Sequence, residues 1–67
     1  MKAISGKKLA EILLRKGWQL TRVKGSHHRF QKDGISLSIP IHGNQDLKIG
    51  LLKALMKQAN LTESDLS

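Results

Sequence analysis

Apolar positions recur along this chain in two different periods, and the changes of period mark out its elements. Leu9, Ile12, Leu13 and Lys16 fall on one helical stripe, with Lys7, Lys8, Glu11 and Arg15 mostly outside it. Ser5 is suited to cap the start of that helix and Gly17 to stop it in a left-handed turn, which predicts a helix over 6–16. An extended run follows over 18–23, from Trp18 to Val23, and Lys24-Gly25-Ser26 reads as a turn or a bulge. A second strand is predicted over 27–32, and Asp33-Gly34 is a strong hairpin signal. The third strand has the clearest alternation. Ile35, Leu37, Ile39 and Ile41 interleave with Ser36, Ser38, Pro40 and His42, giving one apolar and one polar face. Pro40 has no N–H to give a ladder, which places this strand at a sheet edge or near its own end.

Beyond the loop at 43–46 the helical period returns over 48–59. Leu51, Leu52, Leu55, Met56 and Ala59 form the predicted buried stripe, and Lys48, Lys53 and Lys57 lie off it. Asn60 is a candidate left-handed cap, and Thr62-Glu63-Ser64-Asp65 has the form of a cap for one further short turn. The order helix, three strands, helix predicts an α+β fold in two layers: a three-stranded antiparallel sheet with both helices on its apolar face. The other face stays open and carries Ser36, Ser38 and His42.

Length and charge narrow the function. A chain of 67 residues is a single domain. A domain of this size buries only about 60% of the surface that its unfolded chain exposes, leaving no room for a deep cofactor cleft. Twelve Lys and Arg against five Asp and Glu give a formal charge of +7, which points to a polyanion, nucleic acid first and an acidic protein second. A membrane surface fits less well, because neither helix is a long basic amphipath with interfacial aromatics. The absence of cysteine excludes disulfides, thiolate metal sites and cysteine nucleophiles. Met1-Lys2-Ala3-Ile4-Ser5 has no apolar secretory core, so the expected location is the cytoplasm.

The candidate chemistry lies in Val23-Lys24-Gly25-Ser26-His27-His28-Arg29-Phe30. Imidazole can exchange a proton near neutral pH, and Arg22, Lys24 and Arg29 around it suit a phosphate. A proton-transfer group inside a phosphate-binding surface points to RNA cleavage. Strand parity separates the two histidines: His28 shares the side of Phe30, which should be buried, while His27 and Arg29 share the open side. A bulge at Gly25-Ser26 would exchange those faces. His28 then reads as a half-buried packing residue. His42, at the end of the polar face, is either a second proton donor or phosphate contact or a plain loop-edge residue. Adjacent strand histidines diverge and lack a nearby acidic ligand, which argues against zinc, and no cofactor is expected. Ser26 has no Ser-His-Asp constellation around it and reads as turn chemistry. Trp18, directly after a helix-ending glycine, belongs to the core. Residue chemistry alone leaves two rivals to an RNA-cleaving enzyme: an RNA-binding module without catalysis, and a basic domain that meets an acidic protein.

Five segments in order resemble the HicA-type toxins, also called YcfA-like proteins. They are Arg15-Lys16-Gly17-Trp18, Gly25-Ser26-His27-His28, Ile39-Pro40-Ile41-His42-Gly43, Asp46-Leu47-Lys48-Ile49-Gly50 and the helix over 51–61. The resemblance implies a fold like a double-stranded-RNA-binding domain and a histidine-dependent ribonuclease that cuts messenger RNA, and a base that frees the ribose 2′ oxygen to attack phosphorus needs no metal for that step. It also implies a HicB-type antitoxin as protein partner. It carries the catalytic role to His27 first and then to His28. Arg22, Lys24, Gly25, Ser26, Arg29 and His42 are the expected RNA contacts.

Overall fold

The computed structural model describes residues 3–66. Met1 and Lys2, on which the reading of the N-terminal segment partly rests, and Ser67 lie outside the described residues. Helix α1 spans Gly6–Arg15, strands β1, β2 and β3 span Gln19–Lys24, His27–Lys32 and Ile35–Pro40, and helix α2 spans Ile49–Ala59. A short 3-10 turn, Glu63–Leu66, follows. The strands form one antiparallel sheet in the order β1-β2-β3. The expected α-β-β-β-α order and α+β class are therefore those of the structure, with boundaries shifted by a residue at α1, β1 and α2, and β3 ending at Pro40, two residues before the predicted alternation ends, so that Ile41 and His42 leave the sheet.

Local chemistry sets each boundary. The Ser5 hydroxyl accepts the Lys8 N–H at 3.0 Å and starts α1. Gly17 ends it with φ of 94°, and the Trp18 N–H returns to the Leu13 carbonyl at 3.0 Å. That bond turns the Trp18 side chain into the core, as the sequence predicts. Asp33 and Gly34 both adopt positive φ, 51° and 79°, the conformation that the tightest hairpins need. Asn60, at φ of 55°, is the left-handed cap of α2, and the Leu61 N–H reaches the Met56 carbonyl at 2.8 Å.

The core lies between the sheet and the helices. Phe30, Leu37 and Ile39 from the sheet meet Leu9, Ile12 and Leu13 from α1 and Leu52, Leu55 and Met56 from α2. Leu51 departs from the predicted stripe and is 39% exposed. One residue of helix is a turn of about 100°, so Leu51 sits on the flank of the stripe centred on Leu52 and Met56. At the far end of α2 the Thr62 N–H binds Asp65 Oδ2 at 2.8 Å and Lys16 Nζ binds Asp65 Oδ1 at 2.6 Å, tying the last turn to the end of α1.

Gly6 packs tightly against the end of β3. A Cβ built there would lie 2.4 Å from the Pro40 carbonyl oxygen, main chain that cannot swing aside. Gly6→Ala is expected to lower unfolding stability by about 1–3 kcal/mol through overpacking. That loss outweighs the gain of about 1 kcal/mol from helix propensity, and a urea melt measures the balance. Asp65 gives a second test. Its hydrogen bonds to Lys16 and Thr62 hold the carboxyl at about 2 against an ordinary 3.8. A carboxyl depressed on folding stabilises the fold above its unfolded value and stops doing so as pH falls through its folded value. Asp65→Asn should therefore melt lower than the parent at neutral pH, with the gap closing as pH falls from 3.8 to about 2.

Candidate nucleic-acid interface and proton-transfer site

A bulge in β1 decides what the open face of the sheet carries. Leu20 pairs with Phe30, yet Arg22 pairs with Arg29, so Thr21 is an extra residue in the ladder. In an unbroken strand Arg22 would stay on the side of Leu20, towards the helices. The inserted residue moves Arg22 to the open side and returns Val23 to the helix side. The Thr21 hydroxyl donates to the Arg29 carbonyl at 3.3 Å, which occupies the bulge's own polar group. The bulge at Gly25-Ser26 that would have exchanged the histidines does not form. Those two residues are a two-residue hairpin turn closed by Lys24 opposite His27, with Gly25 at φ of 59°.

The parity reading of the histidines therefore holds. His27 is exposed on the open face, and Arg29 follows it on the same side roughly 7 Å further along the strand. Arg22, Lys24, His27, Arg29 and Ser38 line one shallow depression of about 190 Å³. Three expected cationic contacts and the first expected catalytic histidine are thus brought together. Ser38 was placed on the polar face by alternation but not among the site residues. The Asp33-Gly34 turn fixes Lys32 opposite Ile35, and counting back sets Ser38 opposite Arg29, a signal already present in the sequence. Strands β1, β2 and β3 contain no acidic residue. Arg22 directly opposite Arg29 is a like-charge pair, an arrangement that costs stability in the free protein.

His28 points the other way, half-buried on the helix side between Val23 and Ile39. Its Nδ1 lies 3.2 Å from the Ser26 carbonyl, the oxygen that also accepts the Ile41 N–H at 2.8 Å. A carbonyl can only accept, so Nδ1 carries the proton of this bond. His28 thereby ties the hairpin turn to the sheet. Gly25 and Ser26 sit at the tip beside the depression rather than lining it. His42 is exposed, in the turn after β3, where its carbonyl accepts the Gln45 N–H at 3.0 Å. It lines a separate hollow with Pro40, Gln45, Asp46, Leu47, Lys48 and Leu51, so it is not brought to His27. Among the described residues no three His, Asp or Glu side chains converge as metal ligands would.

Against this geometry, the family model described as the HicA toxin of bacterial toxin-antitoxin matches residues 6–61. The chain belongs to the HicA toxin family. No curated protein matches it significantly. The matched span runs from the start of α1 to just past α2 and includes the whole depression and both histidines. The family establishes a toxin role in a toxin–antitoxin system. No helix among the described residues is long and apolar enough to cross a membrane.

The two histidines should separate in stability measurements that need no substrate. His28→Ala removes a half-buried ring and a bond to the hairpin carbonyl, with an expected cost of about 1–2 kcal/mol. His27→Ala alters an exposed side chain and should stay within about 0.5 kcal/mol of the parent. Equilibrium unfolding in urea compares them.

Proposed function

We propose that this HicA-family protein is a metal-independent endoribonuclease that cuts messenger RNA in the cytoplasm, with His27 as general base, and that a HicB-type antitoxin silences it. The observation that carries this reading is the presence of His27 in one depression with Arg22, Lys24 and Arg29. The strain between Arg22 and Arg29 is relieved when a phosphate enters between them, so the face favours a polyanion over solvent.

In the proposed reaction His27 takes the proton of a ribose 2′-hydroxyl. The 2′ oxygen attacks the adjacent phosphorus, the bond from phosphorus to the 5′ oxygen breaks, and the upstream fragment ends in a 2′,3′-cyclic phosphate while the downstream fragment keeps a 5′-hydroxyl. Attack and departure lie in line on opposite sides of phosphorus. The departing oxygen therefore draws its proton from water, which this open face admits freely, and His27 returns its own proton to solvent. Charge gathered on the phosphoryl oxygens is met by the guanidinium groups of Arg22 and Arg29 and the ammonium of Lys24. His28 keeps the hairpin in place and does not touch the reacting atoms. Shape and phosphate contacts dominate recognition, as expected where RNA is read without base edges.

The test is cleavage of a labelled transcript in EDTA. His27→Ala should lose about 10²–10⁴-fold in rate, the usual contribution of a positioned acid–base group, and its expression should no longer slow growth. His28→Ala should retain cleavage at temperatures where it remains folded. Equal cutting by the parent and His27→Ala would remove the base from the reading. Salt-sensitive binding of intact RNA without cleavage would favour the non-catalytic module.

A further inference from the structure

The two edges of the sheet differ, and the difference identifies one of them as a docking edge. The Ile41 N–H donates to the Ser26 carbonyl at 2.8 Å, which makes 26 and 41 a hydrogen-bonded pair. Such pairs alternate in an antiparallel ladder. The register then turns the main-chain groups of Ile35, Leu37 and Ile39 towards β2, and those of Ser36, Ser38 and Pro40 outward. Pro40 fits this assignment, because the N–H it lacks is one the ladder does not use. Its carbonyl faces Gly6 and is covered by the start of α1. No hydrogen bond from a helix, turn or loop reaches Ser36 or Ser38 among the described residues.

The β1 edge is guarded in two ways that β3 is not. The Thr21 bulge breaks its run of outward groups, and Arg22 and Lys24 flank that break with charge. β3 has no bulge and no charged side chain. Ile35, 47% exposed at its far end, and Leu51, beside Pro40 at the near end, are apolar surface on the helix side of this same edge.

We propose that the β3 edge accepts an extended strand of a protein partner in which acidic and apolar side chains alternate. The inference deepens the antitoxin part of the proposed function and rests on it for the partner's role. Outward N–H and C=O groups of Ser36 and Ser38 set the register of the added strand. Its apolar side chains lie over the helix side near Ile35 and Leu51. Its acidic side chains lie beside Ser36 and Ser38 on the open face, two strand spacings or about 9.5 Å from Arg29 and within reach of the depression that Ser38 itself lines. A second copy of this chain fits the hydrogen bonds but not the charge, since each copy carries +7 and their basic faces would become coplanar.

An eight-residue peptide alternating glutamate and valine serves as probe, with a lysine–valine peptide as the charge control. In wild-type protein followed by NMR, the amides of Ser36 and Ser38 should exchange freely. They should slow at least tenfold with saturating glutamate–valine peptide, while the amides of Leu37 and Ile39 are unchanged. Ser36→Pro removes one outward N–H and leaves the ladder intact, so it should weaken peptide binding about fivefold, the loss of one hydrogen bond. Its transcript cleavage without peptide should match that of the parent. Four results overturn the proposal: no slowing at Ser36 and Ser38, slowing at Leu20 and Val23 instead, equal binding of the lysine–valine peptide, or self-association that already protects Ser36 in the free protein. The wild-type exchange measurement stands even if Ser36→Pro does not fold. Peptide protection at Ser36 without transcript cleavage would sink the ribonuclease reading alone, and cleavage with an unresponsive edge would sink this inference alone.

Discussion

A three-stranded sheet in so short a chain has enough helix to cover one face and none to cover the other. Phe30, Leu37 and Ile39 spend the available apolar surface on the helix side, where α1 and α2 close over them. Everything on the opposite side stays wet. That face carries Arg22, Lys24, His27 and Arg29 with no acidic neighbour on any strand. Core and open face are therefore one constraint seen from two sides: the residue that faces the core decides, by alternation, which neighbour faces solvent.

Like charge on the open face works against the fold. The Asp65 carboxylate is engaged by Lys16 at the ends of the helices, away from the sheet. Asp33 lies in the distal hairpin turn and Asp46 in the loop before α2. Acid placed on β1 or β3 would have quieted the repulsion between Arg22 and Arg29 and also competed with phosphate. A protein so lightly cored has little stability to give up. Confining the repulsion to one pair of strands, with the bulge residue Thr21 bonded back to Arg29, limits what the fold concedes.

Much of this was legible in the sequence because local signals agreed. Asp33-Gly34 specified a tight turn, and that turn specified the register of β2 on β3. Gly17 and Asn60 stopped their helices where an αL residue was needed, and Ser5 started one. Phe30, the sole phenylalanine, fixed the parity of the strand and with it the separation of His27 from His28. Two features were not legible. Leu51 looked like core because five apolar residues crowd one helix, and only the packing of Leu52, Leu55 and Met56 against the sheet shows which flank is left out. The bulge at Thr21 has no glycine to announce it. Gln19-Leu20-Thr21-Arg22 reads as plain alternation, and the extra residue shows only when both ends of the β1–β2 ladder are counted. Lys24 opposite His27 and Leu20 opposite Phe30 cannot both hold without it.

That counting argument explains why two adjacent histidines are not interchangeable. The turn at Gly25 and Ser26 is tied to the sheet at one carbonyl, that of Ser26, which receives both the Ile41 N–H and the His28 ring. The ring of His28 is thus a lock on the register that exposes its neighbour. The bulge performs the matching task on β1. It absorbs the odd residue there, so the hairpin stays tight while Arg22 and Lys24 still arrive on the side where His27 stands. Register, more than the identity of any one cation, decides which side chains share this face.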